Sequence, residues 1–232
     1  MINTARLRSD LSLLGRETGM MQATVESLAD DEMTVASLCE GWTRADVIAH
    51  LASNGRALVK LIDWATTGEE QQPYASREAR NAEIAELGAL PRAELVERFR
   101  ESAAYFAEQA QRLSGELAVE AVNLHGKQIP ATSIVALRIA EVVIHHHDLD
   151  TTWTLEEADL DSQLYGIEAA VRTMRAKHAP GLTLVTEEGD EWVIGDGAQK
   201  VESDREGLLA WLARGDDGHV EADGPLPELP SW

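Results

Sequence analysis

The spacing of the apolar residues changes along this chain, and the change limits the folds open to it. In the segments before about residue 178, apolar residues recur at helical intervals. Beyond it, "GLTLVTEEGDEWVIGDGAQKVES" alternates apolar with polar residues around Gly-Asp turns. The first pattern predicts amphipathic helices and the second predicts two or three short strands. There is no internal repeat. The expectation is an α+β protein: a four-helix bundle over residues 1–155, then a small α/β domain over 156–232 that begins with a helix at 160–178.

Local signals sharpen this outline. Residues 4–29 carry Leu7, Leu11, Leu14, Met21, Val25 and Leu28 on one helical stripe. "GWTRADVIAHL" opens a second helix, with Thr43 and Asp46 placed as a capping box. Its apolar pattern runs to about Trp64, where "TTGEEQQPY" stops it. "SREARNAEIAEL" predicts a short helix, and "PRAELVERFRESAAYFAEQAQRL" a long one with Pro91 at its start. "VNLHGKQIP" is a turn-rich connection with the makings of a hairpin, and residues 132–150 form a further helix. "DREGLLAWLAR" predicts a short helix and "GHVEADG" a last strand. The prolines of "PLPELPSW" keep the tail extended.

Charge narrows the function. With 41 acidic and 20 basic residues the formal net charge is −21. Such a chain repels phosphate, so neither nucleic acid nor an anionic membrane surface is an expected partner. The N-terminal "MINTARLRSDLSLLGRET" has no continuous apolar stretch and reads as neither a signal peptide nor a membrane span, so a cytoplasmic location is expected. The single cysteine, Cys39, excludes an internal disulfide and a cysteine-rich zinc site. It reads as a small core residue rather than as a nucleophile.

The chemistry concentrates in "RIAEVVIHHHDLD", residues 138–150. On a helix turning about 100° per residue, Arg138, Glu141, His145 and Asp148 form one polar stripe. It is set among Val135, Leu137, Ala140, Val142 and Ile144. His146 and His147 point elsewhere, so the three consecutive histidines cannot form one cluster. Glu141 and His145, four apart, can reach one ion. Taken alone, the stripe is equally a buried ion-pair network, Arg138 with Glu141 and His145 with Asp148, or part of a metal site. A third ligand is available in His50, on the inward stripe of the second helix with Val47, Leu51, Leu58 and Leu61. His50, Glu141 and His145 supply two imidazoles and one carboxylate, a set that leaves a coordination position open as catalytic zinc sites do. Iron, manganese or nickel would also suit it. Arg138 and Asp148 would then orient Glu141 and His145. His178 and His219 read as surface residues.

"GWTRADVIAHL", "WATTGEE…YASREARNAEI" and "RIAEVVIHHHDL" together resemble the mycothiol-dependent maleylpyruvate isomerases, part of a wider group of DinB-like metal-binding helical bundles. The resemblance extends to the C-terminal "ARGDDGHVEADGPLPELPSW". It implies a metal triad at His50, Glu141 and His145. It also implies a catalytic arginine before a Gly-x-Asp-Gly turn, which Arg214 matches, although Ala213 stands where the family has glycine. Arg80, within "YASREARNAEI", and His125 join Arg138 and Asp148 as candidates for the surroundings of the site.

The implied activity is cis–trans isomerisation of maleylpyruvate to fumarylpyruvate in gentisate breakdown. The implied cofactors are mycothiol and a divalent metal, expected to be zinc. Addition of a thiolate makes the conjugated double bond transiently single, and elimination after rotation restores it. Metal charge favours the thiolate over the thiol. Arg214 would meet a substrate carboxylate or the developing enolate oxygen in a cleft between the domains. The expected partners are a small diacid and a low-molecular-weight thiol, and the expected state is a monomer or weak dimer. Two alternatives remain: a mycothiol S-transferase that joins the thiol to an electrophile, and a non-catalytic metal-binding bundle.

Overall fold

The structure, a computed structural model, describes residues 4–124 and 126–230. These fall into two compact units divided between Thr152 and Trp153.

The first unit is a helical bundle. Its helices are α1 (Thr4–Ser27), α2 (Arg44–Thr67), α3 (Arg77–Gly88), α4 (Arg92–Ala110) and α5 (Ile134–Asp148). Four of them, α1, α2, α4 and α5, pack around one core, and α3 lies against α2. Leu7, Leu14, Met21, Val25 and Leu28 of α1 are buried, as their spacing requires, while Leu11 sits half-buried at the edge of the stripe. The centre is α2, whose Val47, Ile48, Leu51, Leu61 and Ile62 are wholly buried.

The start of α2 is capped at both groups. Thr43 Oγ1 accepts from the Asp46 amide, and Asp46 Oδ2 accepts from the Thr43 amide at 2.9 Å. This closes two donors that the first turn leaves open. The helix ends at Gly68, whose φ of 82° places it in the left-handed region where glycine carries no steric cost. Along its length α2 approaches α4 closely at Gly55. A Cβ there would stand 2.5 Å from Ser102 Oγ, so any larger residue would have to displace that hydroxyl. Ser102 Oγ donates to the Ala52 carbonyl at 2.6 Å across the same contact.

The loop before α2 is fastened to the end of α5. The Leu38 amide donates to the Asp148 carbonyl at 3.0 Å. Arg44 Nε and Nη2 donate to the carbonyls of Leu149 and Asp150, each at 2.6 Å. A cation thus satisfies acceptors that α5 leaves open at its C-terminus. The two ends that carry His50 and His145 are held together by this strap. Between α4 and α5, strands β1 (Ala121–Leu124) and β2 (Lys127–Pro130) pair as an antiparallel hairpin.

The second unit contains α6 (Leu160–Ala176), β3 (Leu182–Thr186), β4 (Glu191–Ile194), β5 (Gln199–Ser203), α7 (Arg205–Arg214) and β6 (Glu221–Ala222). The sheet order is β4-β3-β5-β6, with β3 and β5 parallel and the other pairs antiparallel. Leu182, Leu184, Ile194 and Val201 are buried in this unit, as are Ile167 and Met174 of α6 and Leu208, Leu209 and Leu212 of α7. Asp204 caps α7 by accepting from the Gly207 amide at 2.8 Å. The protein is α+β, and among the described residues no helix is long and apolar enough to cross a membrane.

Candidate metal centre

Three side chains from two helices converge inside the bundle. His50 comes from the inward face of α2, and Glu141 and His145 come from one face of α5. Their donor atoms lie within 4.8 Å of one another. Glu141 Oε2 is 2.8 Å from His50 Nε2 and 3.5 Å from His145 Nε2. Both imidazoles are buried, while the Glu141 side chain is 26% exposed, so the group is open on the carboxylate side. A depression beside it is lined by Asn54, Leu58, Tyr74, Leu124, Leu137 and Glu141.

The electrostatics follow from this geometry. Burial pushes the Glu141 carboxyl up, but hydrogen bonds from His145 and His50 together outweigh it and hold the group well below the usual carboxylate range. His50 is lowered to about 4, chiefly by burial. For His145 burial acts downward too, but Asp148, Cys39 and Glu141 raise it well above the ordinary histidine value. The surroundings thus favour the charged forms of Glu141 and His145 and the neutral form of His50.

The set suits a divalent cation. Two imidazole nitrogens and a carboxylate oxygen are the donors that zinc and its neighbours take, and three protein ligands leave a position open. His145 is prepared for this: its Nδ1 bonds Asp148 Oδ2 at 2.7 Å, and Asp148 is fully buried. A carboxylate behind a ligating histidine fixes the ring and leaves Nε2 to face the ion.

The other sequence candidates take varied places. Arg138 is 1% exposed, and burial lowers its guanidinium to about 10. It does not pair with Glu141. Its Nη1 donates to Asn54 Oδ1 at 2.7 Å, its Nη2 has no hydrogen-bond partner among the described residues, and it stands over the Phe106 ring at 6.0 Å. Arg80, on α3, donates from Nη2 to His50 Nδ1 at 3.1 Å. His125 lies outside the described residues. His146 is buried and bonds Thr24 Oγ1 of α1 at 2.7 Å, away from the cluster, and His147 is half-buried. His178 and His219 are exposed. Arg214 closes α7 in the second unit, with Nη1 donating to the Ala213 carbonyl at 2.5 Å and Gly215 following at φ 75°.

Two neighbours were not anticipated from the sequence. Cys39 was expected in the core; it is half-buried, with Sγ 3.1 Å from Asp148 Oδ2 and 3.9 Å from His145 Nδ1. Trp42 lies edge-on to His50 at 5.6 Å and stacks with His145 at 6.5 Å. Its signal was the "GWT" triplet next to the helix cap, an aromatic residue directly before the segment that carries His50.

The sequence profile of the mycothiol maleylpyruvate isomerase N-terminal domain matches residues 14–150, more than half of the chain. Among curated proteins no match is found. Two solved structures are similar over their whole length. They are the mycothiol-dependent maleylpyruvate isomerase and a histidine-to-alanine mutant of it, each with a TM-score of 0.86, 29% identity and 100% of both chains covered. The chain belongs to the mycothiol maleylpyruvate isomerase family.

Proposed function

We propose that this protein is a mycothiol-dependent enzyme that isomerises maleylpyruvate, a cis diacid, to fumarylpyruvate. The observation that carries the reading is the likeness to the mycothiol-dependent maleylpyruvate isomerase over both complete chains at a TM-score of 0.86. The donor cluster of His50, Glu141 and His145 supports it from chemistry alone.

On this reading His50, Glu141 and His145 hold a divalent ion, zinc being the first choice for two imidazoles and a carboxylate. The ion, when bound, stabilises a thiolate over a thiol through its charge. Mycothiol, when bound, would supply the nucleophile for a reversible addition to the conjugated double bond. The chain's own residues do the rest. Asp148 keeps the His145 proton on Nδ1. Trp42 lies against both imidazoles. Arg214 supplies a planar guanidinium that matches a carboxylate in two hydrogen bonds and stabilises an enolate oxygen as charge develops.

The test is an assay of the zinc-loaded protein with maleylpyruvate, with and without mycothiol, followed by the proton spectrum of the product. Fumarylpyruvate should appear only when mycothiol is present, and the thiol should not be consumed. Consumption of mycothiol into a stable conjugate would assign an S-transferase instead. No turnover by a protein that binds zinc stoichiometrically would leave a non-catalytic bundle.

A further inference from the structure

The two histidines of the cluster are prepared for different tautomers. His145 donates through Nδ1 to Asp148 Oδ2 at 2.7 Å, so when the ring gives up its other proton, the one on Nε2 facing Glu141, Nε2 is the nitrogen that carries the lone pair. His50 is held the other way round. A guanidinium has donors and no acceptor. Arg80 Nη2, 3.1 Å from His50 Nδ1, can therefore bond only to a lone pair on that nitrogen. A neutral imidazole then carries its proton on Nε2, which is the atom 2.8 Å from Glu141 Oε2. His50 Nε2 donates that proton to the carboxylate, and the pair is satisfied without any ion.

Coordination requires the reverse. Nε2 of His50 is the atom that faces the other two donors, and it must present a lone pair to ligate. In a neutral ring the proton then sits on Nδ1, where it meets a guanidinium that cannot accept it. One proton leaves Nε2 and one arrives at Nδ1, so the exchange is neutral in charge, but the contact with Arg80 is lost. Asp148 plays the helpful part behind His145; behind His50 the equivalent place is occupied by a cation.

We infer that Arg80 competes with the metal ion for His50: the Arg80–Nδ1 hydrogen bond holds the tautomer that cannot ligate through Nε2, and loading the site releases the arginine. The Arg80 guanidinium also stands 5.8 Å from the Trp42 ring centre, so a cation–π surface lies beside its present position. Among the described residues its remaining side-chain bond is a weak one, from Nη1 to Asn81 Oδ1 at 3.3 Å. Half-buried on the short helix α3, the side chain has few other ties to hold it. The released guanidinium is then a free cation next to an open metal position, where an anion would meet it.

This inference rests on the metal reading of His50, Glu141 and His145, and its test separates the two. Zinc affinity of the metal-free protein is measured by competition with a chromophoric chelator, for wild type, Arg80→Ala, Arg80→Gln and His145→Ala. A second readout, long-range nitrogen–proton correlation of the histidine rings, reports the His50 tautomer directly. Arg80→Gln supplies a carbonyl that can accept from Nδ1–H. Both Arg80 variants should bind zinc more tightly than wild type, on the order of 10-fold, the scale on which groups behind a ligand act. A merely structural arginine would change affinity downward or leave it alone. In metal-free wild type the His50 proton should be on Nε2, and it should move to Nδ1 when zinc is added. Unchanged or weaker binding in both Arg80 variants, with His145→Ala abolishing it, overturns the competition and leaves the metal site standing. Zinc binding that survives in His145→Ala overturns both.

Discussion

Asp148 Oδ2 lies 2.7 Å from His145 Nδ1, and the aspartate is fully buried. The carboxylate has no other way to be useful at that depth than through the partners it holds, because an unpaired charge there would be prohibitively costly. Asp148→Ala should therefore weaken zinc binding by about 10–100-fold. Asp148→Asn, whose side-chain oxygen can still accept from Nδ1–H, should lose less. Chelator competition on the purified variants checks this, and equal affinities in all three proteins would remove Asp148 from the site.

The proposed ligands should behave differently from their neighbour in sequence. His50→Ala and His145→Ala should largely abolish zinc binding. His146→Ala should keep it, because His146 faces Thr24 on α1. Its cost should appear instead as a loss of stability of about 1–3 kcal/mol, the penalty for an abandoned buried hydrogen bond, in urea titrations. A His146 variant as metal-free as the His145 variant would contradict the helical-face argument.

Without metal, stability should fall on the acid side of pH 6.5. Burial lowers His50 to about 4 and His146 to about 3 in the folded protein. The unfolded chain takes up these protons near pH 6.5 and the folded chain does not, so their contribution is complete above 6.5 and is lost as pH falls toward those values. Each such proton is worth about 1.4 kcal/mol per pH unit. His145 runs in the opposite sense, its raised value giving a contribution complete below 6.5 and lost at higher pH. Urea midpoints of metal-free wild type and His146→Gln at pH 7 and pH 5 test the sign: the variant should lose less on acidification.

Cys39 stands 3.1 Å from Asp148 Oδ2 and invites assignment as a nucleophile. The nucleophile of the proposed reaction comes from mycothiol. Cys39→Ser retains a hydroxyl that can donate to the same carboxylate, so turnover should remain within a few-fold of wild type. Loss of turnover with zinc content and fold preserved would place the nucleophile on the protein.

Arg214 should matter to rate and little to stability. As a cation at the end of α7 it gains only roughly 0.3–1 kcal/mol from the helix dipole. As a group that meets developing negative charge, its removal should lower kcat by about 10²–10³, by analogy with lost oxyanion donors. Arg214→Ala should keep zinc and melt near wild type. Arg214→Lys should recover part of the rate, since an ammonium lacks the planar fork. Wild-type kcat/KM in Arg214→Ala would confine the chemistry to the bundle.

What could be read from the sequence was what depends on local periodicity. The capping box of Thr43 and Asp46, the helix carrying Glu141 and His145 four residues apart, and the inward side of His50 all follow from spacing along one helix, and the alternation of "GLTLVT" and "EWVI" follows from spacing along a strand. Partner choice across elements was decided only by the tertiary structure. Arg138 turns to Asn54, beside the close approach of α2 and α4 at Gly55, instead of to Glu141 one turn away. Cys39 and Trp42 reach the site from a loop, which has no period to reveal where a side chain points. Arg80 meets His50 only because α3 packs on α2, and no spacing within "SREARNAEIAEL" encodes which residue of another helix that arginine will touch.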